Sequence, residues 1–218
     1  MTTKIKSNSV RTTFHHGDLR SALMSATVDL LGTKGVEGFS LREAAAAVGV
    51  TPSAAYKHFA DKGDLLAAIA ANGFIELAER VEVAKQIART QSRIKTRKAL
   101  AALESNALAY VEFATEQPVI FRLMFGPYGA GSKYMLKGTC VRGKSLCELL
   151  TEALDALLEA RIMSAETRND ADLTVWAAVH GLADLLISGS LANRETLSLE
   201  NSVKLIVKTL VAGWSSDV

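Results

Sequence analysis

The stretch SLREAAAAVGVTPSAAYKHF, Ser40 to Phe59, decides the fold. It reads as a helix, a short turn and a second helix. Ser40 suits an N-cap, where its hydroxyl accepts from a free N–H of the first turn. Glu43, three residues on, completes a capping box. Leu41, Ala44, Ala45 and Val48 recur at helical spacing and form one apolar stripe. Gly49 stops this helix, because it takes the left-handed conformation without a Cβ penalty. Thr51 is the next N-cap and Pro52 stands at N1, where a missing N–H costs nothing. The second helix is expected to bury Ala55 and Phe59. It leaves Ser53, Tyr56, Lys57 and His58 on or near the outer surface.

A helix-turn-helix needs two short helices crossing steeply. The close crossing asks for a small residue in the first helix, a glycine in the turn and an apolar residue just after it. Ala45, Gly49 and Val50 meet those needs. The outer face of the second helix should carry donors for phosphates and base edges. Tyr56, Lys57 and His58 are such donors. The same spacing also suits an ordinary core hairpin with a few polar residues outside, since such hairpins recur in many folds.

The flanks discriminate between these readings. The segment LRSALMSATVDLLGTKGVEGFSLREAAAAVGVTPSAAYKHFADKGDLLAAI closely resembles the DNA-binding domain of the TetR family of bacterial transcriptional regulators. The resemblance is carried by Ala26, Leu30, Gly35, Ser40, Leu41, Ala45, Gly49, Val50, Tyr56, His58, Phe59, Lys62, Leu65 and Leu66, over roughly the first third of the chain. Farther on, FRLMFGP (Phe121–Pro127) and WAAVHG (Trp176–Gly181) look like the subgroup whose ligand-binding domain is named for its Trp, His and Gly. The resemblance implies an all-α homodimer that binds double-stranded operator DNA and is released by a small-molecule effector. Repression as the sign of control rests on the resemblance alone. Expected DNA contacts are Tyr56, His58 and Lys62 on phosphates, and Thr51, Ser53, Ala54 and Lys57 nearer the bases. Ser40 and Arg42 complete the set.

Three segments are expected: a flexible basic arm over 1–16, the helix-turn-helix domain over 17–62, and a ligand-binding and dimerisation domain over 63–218. The net charge is only +2, yet residues 1–62 hold eight Lys and Arg against five Asp and Glu. A locally basic module on a near-neutral body suits phosphate contact by one face. The arm, with Lys4, Lys6 and Arg11, reads equally as an unstructured tail or as a strand laid along a DNA groove. His15-His16 does not suggest a metal, because adjacent residues point apart and no third ligand stands nearby. Cys140 and Cys147 would lie two turns apart on a continuous helix, about 10 Å, too far for a disulfide. The N-terminal residues lack the apolar core of a signal peptide, and no apolar run reaches the ~18 residues of a membrane span. A cytoplasmic protein is expected.

The first helix is expected over about Gly17–Lys34, with Leu19, Leu23, Ala26, Val28, Leu30 and Leu31 on its apolar face, and Phe39 acting as a staple or core plug before the Ser40 cap. Asp61 caps a long helix starting at Lys62 and reaching about Ala88. It touches both domains, the basis for a switch. Further helices are read over about Ile94–Gln117, Val119–Phe125, Thr139–Ala160, Leu173–Ile187 and Leu197–Trp214, with the charged run Thr90–Lys98 as a solvated helix start. The last two are apolar over an unusually wide arc. A surface helix needs only one stripe. Pairing with a second copy would cover the rest in a four-helix interface.

Between the helices, Tyr110, Phe113, Phe121, Met124, Phe125, Tyr128 and Met135 could line a pocket or fill a core. Trp176, His180 and Asp184 share one helix face. Asp184 can hold His180, which is then either a polar anchor for an effector or a satisfied core histidine. The chain shows no Gly-rich phosphate loop, nucleophile elbow or metal-ligand cluster, so neither a cofactor nor an enzyme is expected. A His–Asp pair without a placed nucleophile is insufficient.

Overall fold

The computed structural model describes residues 16–90, 92–129, 144–193 and 198–215, without the side chains of 16–18 and 215. Among the described residues are ten helices and no strand: α1 (His16–Lys34), α2 (Leu41–Ala47), α3 (Pro52–Tyr56), α4 (Lys62–Thr90), α5 (Lys95–Glu116), α6 (Pro118–Phe125), α7 (Leu146–Glu159), α8 (Ala165–Arg168), α9 (Ala171–Ile187) and α10 (Leu199–Ser215). The chain divides into two compact units, Met1–Leu65 and Leu66–Val218, with the boundary inside α4. Among the described residues no helix is long and apolar enough to cross a membrane.

In the N-terminal unit, α1 buries Leu19, Leu23, Met24, Thr27 and Leu31. The stripe thus runs through Met24 and Thr27, while Ala26, Val28 and Leu30 are half-buried. Thr27 can enter the core because its hydroxyl donates to the Leu23 carbonyl at 2.7 Å, one turn back. α2 begins with the expected capping box: Ser40 Oγ accepts from Glu43 N, and Glu43 Oε2 accepts from Ser40 N at 2.9 Å. It ends in a Schellman motif. Gly49 takes φ +73°, its N–H reaches Ala46 O at 3.0 Å, and Val50 N–H reaches Ala45 O at 2.9 Å. Thr51 caps α3 with Pro52 in its first turn, but α3 stops at Tyr56 instead of running to Phe59. Phe59 lies beyond the helix and is still buried, with Ala55, Phe39 and Leu65.

In the C-terminal unit, α5 packs against α6, α7, α9 and α10. Its buried stripe includes Ala99, Leu103, Asn106, Ala107 and Tyr110, while Leu100 is half-buried. Gln117 ends α5 and Pro118 opens α6. α6 lies directly on α4: a Cβ at Gly73 would stand 2.6 Å from Met124 Sδ and 2.7 Å from Ile120 Cγ2.

α7 starts later than the expected Thr139, because Ser145 caps it. Ser145 Oγ accepts from Glu148 N at 3.2 Å, and Glu148 Oε2 accepts from Ser145 N at 2.6 Å. One continuous helix through both cysteines is therefore excluded. Cys140 and Met135 lie outside the described residues, as do residues 1–15 of the expected arm. The short α8 was not expected. α9 buries one stripe of Ala171, Val175, Val179, Leu182 and Ala183, and leaves Leu173 63% and Leu185 46% exposed. α10 buries Val203, Val207 and Trp214 and leaves Leu205 64% exposed. The apolar arcs of these helices exceed what the described residues cover.

Candidate functional site

The N-terminal unit presents an outward face built around α3. Thr51 Oγ1 is engaged as the cap, accepting from Ala54 N at 3.4 Å. Ser53, Tyr56 and Lys57 are exposed, and Ala54 and His58 are half-buried. On α2, Arg42 is exposed, whereas the Ser40 hydroxyl is taken up by Glu43. Lys62 opens α4, with Nζ 4.8 Å from the centroid of the Phe39 ring. That cation–π contact directs the ammonium across the buried Phe39 ring.

Sequence reasoning missed one cation here. The Arg20 guanidinium lies 4.9 Å from the Phe59 ring centroid, at the end of the hairpin. Arg20 and Phe59 are far apart in sequence, so only the fold reveals the pairing. Lys34, by contrast, is neutralised by Glu43 at 2.7 Å. That hydrogen bond holds the Glu43 carboxyl below the usual carboxylate range. Among the described residues no carboxylate pairs with Arg20, Arg42, Lys57 or Lys62. These four remain available for phosphates, the electrostatic basis of DNA affinity.

The C-terminal unit holds an apolar cavity of about 70 Å³. Its walls include Val81 of α4, Asn106 and Tyr110 of α5, Phe125 of α6, Cys147 of α7 and Trp176 of α9. Tyr110, Phe125 and Trp176 belong to the set expected from sequence. Phe113, Phe121, Met124, Tyr128 and His180 are not among its lining residues. Phe113, Phe121 and Met124 are buried. The Arg80 guanidinium sits 5.3 Å from the Phe113 ring centroid.

A polar relay runs beside this cavity. Trp176 Nε1 donates to Tyr110 Oη at 3.4 Å, and Tyr110 Oη lies 2.8 Å from His180 Nδ1. An indole only donates, so the phenol is an acceptor there. The arrangement that pairs the phenol's own proton sends it to Nδ1, which leaves the histidine proton on Nε2. Among the described residues the hydrogen-bond partner of His180 is therefore Tyr110, not the expected Asp184. The exposed Asp184 acts on His180 only through its charge. Burial holds the His180 pKa below its ordinary value, against the opposing pull of Asp184. Burial likewise pushes up the Tyr110 phenol and the Cys147 thiol. His180 is stacked on Phe121 at 5.4 Å and edge-on to Phe125 at 4.7 Å, which suits a neutral ring.

Asn106 was not singled out from sequence. It is 6% exposed, its Nδ2 donates to Leu149 O at 3.2 Å, and its Oδ1 meets no donor among the described residues. The available signal was an amide at a buried register position of α5, between Leu103 and Tyr110.

Known proteins agree with this architecture. Residues 23–69 match the family described as bacterial regulatory proteins, tetR family. Residues 103–210 match the tetracyclin repressor-like C-terminal domain. A solved protein of unknown function from Rhodococcus sp. RHA1 is 28% identical, with 94% of this chain and 100% of that chain covered and a TM-score of 0.75. The TetR family transcriptional regulator PfmR from Thermus thermophilus shares the fold at 16% identity, with 87% and 97% covered and a TM-score of 0.59. A bacterial regulatory protein in the tetR family from Rhodococcus RHA1 does so at 19% identity, with 90% and 96% covered and a TM-score of 0.61. No curated protein matches the chain. With both of its units matched to the same family, the chain belongs to the TetR family of DNA-binding transcriptional regulators.

Proposed function

We propose that the protein is a repressor that binds operator DNA as a homodimer and is released by a small molecule held in the C-terminal unit. The observation that carries this reading is the apolar cavity of about 70 Å³ walled by Tyr110, Phe125 and Trp176, in a chain that also carries a capped helix-turn-helix. In this proposal Tyr56, His58 and Lys62 bind phosphates, joined by Arg20 and Arg42. Thr51, Ser53, Ala54 and Lys57 lie nearer the bases, and Ser40 orients the first turn of α2. A helix-turn-helix dimer reads two half-sites about one helical turn apart or a multiple of that.

The second copy docks on α9 and α10, whose exposed Leu173, Leu185 and Leu205 favour burial. α4 is the coupling element: Lys62 opens it, and Val81, farther along the same helix, lines the cavity. The test is a DNA-shift experiment with the region upstream of the protein's own gene. A shift by the full chain, lost on replacing Lys57 and Lys62 together, is expected. Absence of any shift at low salt would remove the operator-binding part of the proposal.

A further inference from the structure

We propose that the cavity selects its effector through Asn106, whose Oδ1 accepts a hydrogen bond from an O–H or N–H group of an uncharged, mainly apolar molecule. This rests on the reading of the cavity as the effector site. Asn106 lines the cavity and is more than nine-tenths buried. Its amide orientation is set by the bond from Nδ2 to the Leu149 carbonyl at 3.2 Å, since a flipped amide would set two acceptors against each other. Oδ1 is thereby left as a buried acceptor with no donor among the described residues. Such a group gains more from a donor than one already bonded, because no hydrogen bond has to be broken once the ligand has parted the walls that cover it.

The neighbouring polar groups make no comparable demand. Trp176, Tyr110 and His180 satisfy one another in series. No Lys or Arg is among the residues lining this cavity. A carboxylate or phosphate entering it would lose water without gaining a counter-charge. The chemistry therefore selects a neutral donor on an apolar body, such as a phenol, an alcohol or an N–H heterocycle. The cavity is smaller than the ~150 Å³ engineered apolar cavity that takes benzene in another protein. A ring-sized ligand must displace half-buried walls such as Cys147, Leu150 and Trp176.

The test is a fluorine NMR titration of the full chain with 4-fluorophenol, 4-fluorotoluene and 4-fluorobenzoate. The wild type is expected to prefer the phenol over the toluene and to refuse the benzoate. Asn106→Leu should keep the toluene and shift the phenol-to-toluene affinity ratio by about tenfold toward the toluene. Wild-type affinity for 4-fluoroanisole, in which the donor is methylated, should also fall below that for the phenol. This comparison needs no variant to fold. Val175→Phe, which fills the cavity, should abolish binding of both neutral probes. An unchanged ratio in Asn106→Leu, with binding still lost in Val175→Phe, overturns the Asn106 assignment and leaves the cavity reading standing. Benzoate binding as tight as phenol binding does the same. Probe binding that survives Val175→Phe, or no binding of either neutral probe to the wild type, overturns both.

Discussion

Gly49 holds φ +73°, and nothing lies within 4 Å of where its Cβ would stand. The cost of a side chain there is purely conformational, about 1–2 kcal/mol for the left-handed region. Gly49→Ala should destabilise the chain by that amount in urea titration. Gly49→Asn should cost less, because Asn visits this region more readily. Equal losses would mean that the turn is limited by space after all. Lys62→Ala, if Lys62 binds a phosphate, should weaken DNA binding alike for all sequences and lower the salt slope by about 1. A changed sequence preference with an unchanged slope would place Lys62 on a base instead.

His180 supports a pH prediction. Burial holds its folded pKa below the ordinary 6.5 of the unfolded chain. Below pH 6.5 the unfolded chain thus binds a proton that the folded chain refuses. Stability should fall as the pH drops from 6.5 toward the folded pKa, and the contribution is full only above 6.5. His180→Gln should flatten that part of the profile relative to wild type. The same slope in both proteins would assign the acid loss to carboxylates.

At the scale of the element, caps decide where helices begin. Ser145 is 3% exposed and closes a reciprocal box with Glu148. Ser145→Ala should cost ~1 kcal/mol in a denaturant titration, because the Glu148 N–H loses its cap acceptor. A loss of a few tenths would show that solvent reaches this turn. The cap also marks what was legible in the sequence. Ser40, Thr51 and Gly49 announce their roles because capping and turn chemistry is local, and α2 and α3 start where those residues say. The leucines of α7 all follow Ser145, so their period holds no signal for a start at Thr139, and the helix begins at the cap instead. On α1, Thr27 reads as polar, yet its back-bond to Leu23 lets it occupy a core position that Val28 was expected to help fill. The candidate cavity was less legible. Aromatic identity cannot separate Phe113, packed under Arg80, from Phe125 at the wall, since that depends on how α4, α5, α6 and α9 converge. The tautomer relay from Trp176 through Tyr110 to His180 joins residues of α5 and α9, and no local pattern encodes it.

At the scale of the whole molecule, the proposal requires two copies. Leu173, Leu185 and Leu205 lie on two successive helices and are 63%, 46% and 64% exposed in one chain. Light scattering should give twice the mass of one chain at micromolar concentration. Replacing all three by Lys should return the mass to one chain and weaken operator binding, since the gain from two linked half-site contacts, ~10²-fold or more, is lost. In the proposal, release by effector runs along α4. A ligand that parts the cavity walls displaces Val81 on α4, and α4 begins at Lys62. A dimer whose recognition helices no longer match the half-site spacing keeps one contact and loses the second. The ligand acts only as far as it prefers the released state, typically ~1–3 kcal/mol of coupling. Linkage makes the effect reciprocal: operator DNA must weaken ligand affinity by the same factor that the ligand weakens DNA affinity. Titrating 4-fluorophenol with and without saturating operator should therefore give two affinities whose ratio equals the probe-induced change in operator affinity. Equal affinities, in a protein that binds both the probe and the DNA, would disconnect the cavity from the hairpin and leave α4 a passive link.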